Sequence, residues 1–110
     1  IAGLEWVQRS VRASGRPSVA SLSLGGPGST VVDIAVAKLT SDNIHVIVAA
    51  GNDGIDAGTQ SPARVPSVVT VAASNIADQQ AWFSNYGKVI TIFAPGQDII
   101  STWIGNTRVS

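Results

Sequence analysis

Two runs of small and branched residues, Ser18–Leu24 and Ile44–Ala49, flank a stretch with helical spacing. This order constrains the fold more than any other feature of the chain. Gly25-Gly26-Pro27-Gly28 ends the first run, and Ala50-Gly51-Asn52-Asp53 closes the second. Between them, Thr30 is placed to cap a helix and Asp33, three residues on, to complete a capping box. Val31, Val32, Ala35, Val36 and Leu39 form the apolar face of that helix, and Ser41-Asp42-Asn43 stops it. Strand, helix and strand in this order make a β-α-β unit, so the two strands run parallel with a right-handed crossover.

The rest of the chain extends this α/β reading. Ile1, Leu4, Val7 and Val11 recur at helical spacing, with Glu5, Gln8, Arg9 and Arg12 off the stripe and Gly15 and Pro17 ending the helix. The cluster Arg9, Arg12 and Arg16 reads as a solvated helix face. A long polar loop runs from Gly51 to about Pro66. Val68–Ala72 reads as a third strand and Val89–Phe93 as a fourth. Pro95-Gly96 is a turn, and Ile99–Trp103 is a short extended piece. No repeat, low-complexity tract or interdomain linker interrupts the 110 residues.

A parallel sheet needs cover on both faces, yet both helices lie in the first half of the chain. More chain, a second chain or self-association must cover the later strands. Composition agrees. Charged residues are 13% of the chain and hydrophobic residues 45%, against roughly 25% charged in an ordinary soluble domain. Such a chain reads as the interior of a larger α/β protein or as one subunit of an oligomer.

Seven basic and seven acidic side chains cancel, which argues against nucleic acid or an anionic membrane as a partner. With no cysteine, neither a disulfide scaffold nor a thiolate metal site can form. No apolar stretch approaches the roughly 18 residues of a membrane span. The first residues lack the basic start and cleavage site of a signal peptide, and are expected to follow a processing site or a fragment boundary.

Chemistry concentrates at the ends of the two parallel strands. Asn52 offers an amide donor that does not titrate, suited to an oxygen that becomes negative during acyl transfer. Its plainer role would be to tolerate a left-handed turn after glycine. Ser23-Leu24-Gly25-Gly26 could be a simple glycine-rich connection. Gly26-x-Gly28 before a helix also begins a dinucleotide-binding turn, but the third glycine position holds Val31, Pro27 intervenes, and Asp53 comes past the end of the next strand. No phosphate-loop lysine motif is present. His45, the single histidine, lies inside a strand pattern and is not assigned as a catalytic base. Trp6, Trp82 and Trp103 belong to separate elements and read as partly buried packing or interface anchors.

Taken in order, Pro17–Gly26, Ala49-Ala50-Gly51-Asn52, Ser61-Pro62-Ala63, Phe83-Ser84-Asn85-Tyr86-Gly87, Ile92–Gly96 and Ile100–Gly105 resemble the subtilisin-like serine proteases, in particular the proteinase K-like branch. The resemblance covers essentially the whole chain but only a middle stretch of the family's domain. It implies a three-layer α/β sandwich with a largely parallel sheet, of which residues 1–110 are an internal segment of one peptidase domain.

It further implies that Asn52 supplies the oxyanion hole. Losing that donor costs about 10²–10³ in rate, a magnitude that comes from a member of this same family. Ser23, Leu24, Gly25 and Gly26 would pair with the substrate backbone, and Ala49, Ala50 and Gly51 would wall the primary pocket. The family's Asp-Thr-Gly, His-Gly-Thr and Gly-Thr-Ser motifs are not in this sequence, so the catalytic Asp, His and Ser would come from elsewhere.

No cofactor is required. In the proteinase K-like branch calcium is held by carbonyls matching Pro66 and Val68 with a carboxylate that aligns with Thr91, so calcium binding is expected to be weakened. The family's half-cystine falls at Val69. Family resemblance also implies an extracellular location. The expected partners are a peptide or protein substrate, and complementary chains of the same protease or further copies of this one. Two functions follow. The chain is either a serine-endopeptidase segment, inactive unless complemented, or a non-catalytic module that self-associates or binds extended peptides. A small nucleotide-binding domain is a third, disfavoured by the missing glycine.

Overall fold

Four strands form one parallel sheet in a computed structural model that describes residues 1–110. They are β1 (Val19–Leu22), β3 (His45–Ala49), β5 (Val69–Ser74) and β6 (Ile92–Pro95), side by side in the order β1-β3-β5-β6. Two short antiparallel pairs complete the strands: β2 (Gly26–Pro27) with β4 (Gln60–Ser61), and β7 (Ser101–Thr102) with β8 (Arg108–Val109). The helices are α1 (Ala2–Ser14) and α2 (Thr30–Ser41). The β1-α2-β3 unit is present, with Ala20 opposite Val46 and Leu22 opposite Val48 in parallel register.

That register sorts the side chains. Ala20, Val46 and Val48 are buried with Val36 and Leu39 of α2, while Leu4, Val7 and Val11 of α1 pack against the same cluster. Both helices therefore cover one face. On the other face, Ile47 and Val71 are half-buried, and Val19 and Ile92 are 66% and 56% exposed. The segment holds the sheet and one helical layer of the sandwich. Burial alternates along β3 instead of continuing through the whole run.

Several boundaries differ from expectation for local reasons. Gly15 ends α1 as predicted, in a left-handed conformation (φ 66°) with its N–H donating to Val11 O at 2.9 Å. In α2, Ser29 and not Thr30 is the N-cap; its side chain accepts from Val32 N at 3.4 Å. Asp33 thus sits one residue too deep to close a capping box. Its carboxylate instead accepts from Ser61 Oγ at 2.6 Å and Arg64 Nε at 2.8 Å. Val31 is 63% exposed and not part of the buried face.

The fourth strand starts at Ile92, because Val89 and Ile90 pack onto a second cluster made of Ala50, Ala57, Ala63 and Ala72. The loop after Gly51 contains a 3-10 turn, Ala57–Thr59, and β4. Arg12 is not merely solvated: its Nε and Nη2 bond Asp42 at 2.7 and 3.0 Å. The three tryptophans are exposed, and only Trp82 meets another aromatic, edge-on to Phe83 at 5.5 Å. No helix is long and apolar enough to cross a membrane.

Candidate active-site cleft

Parallel pairing of β1 and β3 brings their carboxyl ends side by side, the edge where open α/β sheets place their ligands. Ser23–Gly26 leaves one strand and Ala50–Asn52 leaves the other. Both line a single cleft of about 440 Å³. Each predicted wall residue, Ser23, Leu24, Gly25 and Gly26 on one side and Ala49, Ala50 and Gly51 on the other, is in that lining together with Asn52. An adjoining groove of about 530 Å³ continues from Ser23 and Asn52 onto the open sheet face at Ile47 and Val71.

Backbone geometry separates the roles of neighbours. Gly51 has φ 104°, and a Cβ there would lie 2.4 Å from Asn85 Nδ2, so only glycine fits. Asn52 is not among the left-handed residues, which are Asn43, Asp78 and Asp98 apart from glycines. The turn therefore explains Gly51 and does not explain Asn52. Asn52 is exposed, and its carboxamide has no partner within the chain. At Gly25 a Cβ would approach Ser61 O to 3.3 Å, so this wall lies tight against β4.

Electrically the cleft is nearly neutral. Asp53 is the one ionisable residue in its lining. His45 opens β3 at the opposite end from Asn52. The four-residue step of that strand alone separates His45 from Ala49 by about 13 Å, and His45 is not in the cleft lining. The arrangement can hold an extended backbone and polarise a carbonyl. The lining contains no histidine.

The position where calcium binding is expected to be weakened offers no carboxylate at residue 91. Thr91 carries no charge, and its Oγ1 accepts the Thr70 N–H at 2.9 Å. No group of three or more His, Cys, Asp or Glu is placed to hold a metal, whereas calcium wants several oxygens with carboxylate among them. The carbonyls of Pro66 and Val68 are left without an anionic partner at Thr91.

Sequence reasoning missed two supports. Asn85 is fully buried beside Gly51, and Asp33 joins Ser61 and Arg64 beneath the Gly25–Gly26 wall. Asn85 lies in Phe83-Ser84-Asn85-Tyr86-Gly87, but nothing local reveals its partners. Asp33 and Arg64 are opposite charges 31 residues apart, a separation that no periodicity marks.

The whole chain, residues 1–110, matches the model of the subtilase family, peptidase S8. It is 46% identical over 110 residues to alkaline protease 1 of Aspergillus clavatus, covering 98% of this chain and 27% of that protein. To the alkaline serine protease ver112 of Corniculantispora psalliotae it is 50% identical over 107 residues, covering 96% and 28%. To the subtilisin-like serine protease Pen ch 18 of Penicillium rubens it is 45% identical over 117 residues, covering 100% and 24%. The chain thus spans about a quarter of the length of these relatives. The crystal structure of a cold adapted subtilisin-like serine proteinase matches with a TM-score of 0.90 at 41% identity, over 98% of this chain and 38% of that one. Matched along its entire length in sequence and closely in backbone, the chain belongs to the subtilase family and has a subtilisin-like α/β fold.

Proposed function

We propose that this chain is the oxyanion and pocket segment of a serine endopeptidase that cleaves peptide bonds through an acyl-enzyme. The observation that carries the reading is Asn52: exposed, unpartnered, free of any left-handed constraint, and set at the lip where both predicted walls meet. An extended peptide lies along Ser23–Gly26 as an added strand. Its scissile carbonyl points toward Asn52, whose Nδ2–H donates to the oxygen as charge develops. The Asp, His and Ser of the triad come from segments outside residues 1–110, so the chain alone is inactive. Substrates are peptides or proteins. The location is extracellular, in line with alkaline proteases as relatives. No cofactor takes part, and neither nucleic acid nor membrane is a partner.

The test is hydrolysis of a chromogenic peptide, with and without a serine-directed covalent inhibitor, by material of known intact mass that contains the triad-bearing segments. Asn52→Leu, close in shape and without a donor, is expected to lower kcat by about 10²–10³, the loss known for this donor in a family member. Unchanged turnover overturns the oxyanion assignment. Absence of inhibitor-sensitive activity overturns the protease reading, in favour of a module that binds peptides without cutting them.

A further inference from the structure

One buried carboxamide holds the loop that presents Asn52. Asn85 is 0% exposed. Its Nδ2 donates to Ala50 O at 2.8 Å. Its Oδ1 accepts from Asp53 N and from Ile55 N, each at 3.0 Å. Its backbone N–H donates to Gly51 O at 3.0 Å. These bonds fall on residues before and after Asn52, and none falls on Asn52 itself. The loop grips the amide closely, since any Cβ on Gly51 would strike Nδ2.

Asn85 is anchored in turn. Ser84 Oγ accepts from Ala73 N at 3.0 Å and donates to Asn85 O at 2.9 Å, tying the segment to β5. The chemistry is specific to an amide. A side chain of this size that donates from one atom and accepts twice at another, without charge, is asparagine. Aspartate would leave the Ala50 carbonyl facing a carboxylate, and leucine would leave three backbone groups without the partner they have here.

We infer that Asn85 is a positioning residue for Asn52: by bridging Ala50, Asp53 and Ile55 it fixes the loop so that the Asn52 donor meets the developing oxyanion. This rests on the oxyanion reading of Asn52. Its consequence is kinetic, because a misplacement of about 1 Å in a catalytic group can cost about 10²-fold in rate.

The experiment is a double-mutant cycle in the protease carrying its triad segments, with Asn52→Leu, Asn85→Ala and the pair, read as kcat and KM on a peptide substrate. Asn85→Ala is expected to lower kcat by about tenfold or more with KM unchanged, and to cause no further loss once Asn52 is leucine. Losses that multiply independently would make Asn85 a merely structural residue and overturn the inference. So would an unmoved kcat in Asn85→Ala beside a large fall in Asn52→Leu. An unmoved kcat in Asn52→Leu strikes the oxyanion reading itself.

Should Asn85→Ala not fold, Asn85→Ser keeps an uncharged hydroxyl at the position but is too short to bridge all three partners, with the same expectation for kcat. Amide hydrogen exchange on the unmodified protein gives a second reading. The Asp53 and Ile55 N–H groups must exchange slowly although their residues are exposed; rapid exchange overturns the clamp.

Discussion

At the residue scale, Thr91 shows how one side chain limits what a position can hold. Its hydroxyl takes the Thr70 N–H at 2.9 Å, while its own N–H donates to Thr70 O at 2.9 Å. The side chain thus closes the start of the β5–β6 pairing and has no charge to offer a cation. Calcium at Pro66, Val68 and Thr91 is therefore proposed to contribute nothing to stability. A site filled at a hundred times its dissociation constant would add about 2.7 kcal/mol, a shift of about ten degrees or more in a domain this size. Thermal unfolding with and without a chelator is expected to give the same midpoint, and a calcium-dependent rise of that order would show the reading to be wrong. Thr91 was legible because its type alone settles its charge. Asn52 was legible because it closes a strand after a glycine. Asn85 was not, since its three side-chain partners lie 30 to 35 residues upstream and only the folded chain brings them to it.

At the scale of elements, the two helices were readable from period and stop signals, but the bond that joins them was not. Asp42 is the C-cap of α2, where a negative charge opposes the helix dipole. Arg12, in the last turn of α1, offsets it through two bonds, and Gln8 Nε2 adds a third at 2.9 Å. Hydrogen bonds from Arg12 first, and from Gln8 second, hold the Asp42 carboxyl below the usual carboxylate range. The same pairing pushes Arg12 further up. A carboxyl lowered on folding binds its proton more weakly in the native than in the unfolded chain. Its contribution is thus complete above the unfolded value, near 3.9, and is lost as pH falls through the folded one. Asp42→Asn, which keeps the shape and removes the charge, is expected to flatten the decline of stability below about pH 4. Urea midpoints measured against pH check this, and an unchanged acid limb would show that the pair does not link α1 to α2. The misplaced start of β6 has a similar origin. Val89 and Ile90 have strand-like side chains, but an alanine cluster takes them, and tertiary packing overrides local preference.

At the scale of the molecule, the shortage of helices was visible in the sequence, and its geometric consequence is an open sheet face. Parallel register puts Val19, Ile47, Val71 and Ile92 on that face, away from the cluster that α2 covers. Both edge strands contribute, with Val19 at 66% and Ile92 at 56% exposure. Water against such a surface is unfavourable by roughly 25 cal/mol per Å² of apolar area, and a formal net charge of zero supplies no long-range repulsion between copies. When the 110 residues are prepared without partner segments, the face is expected to bring copies together. Sedimentation velocity should show mass rising with concentration. Ile92→Lys, which puts a charge on an edge strand, should shift the distribution toward monomer and leave the helical circular dichroism unchanged. A chain that stays monomeric at every concentration would mean that the exposed apolar side chains of this face do not act as one surface. A shift toward monomer accompanied by loss of helix would mean that Ile92 supports the fold and not the contact.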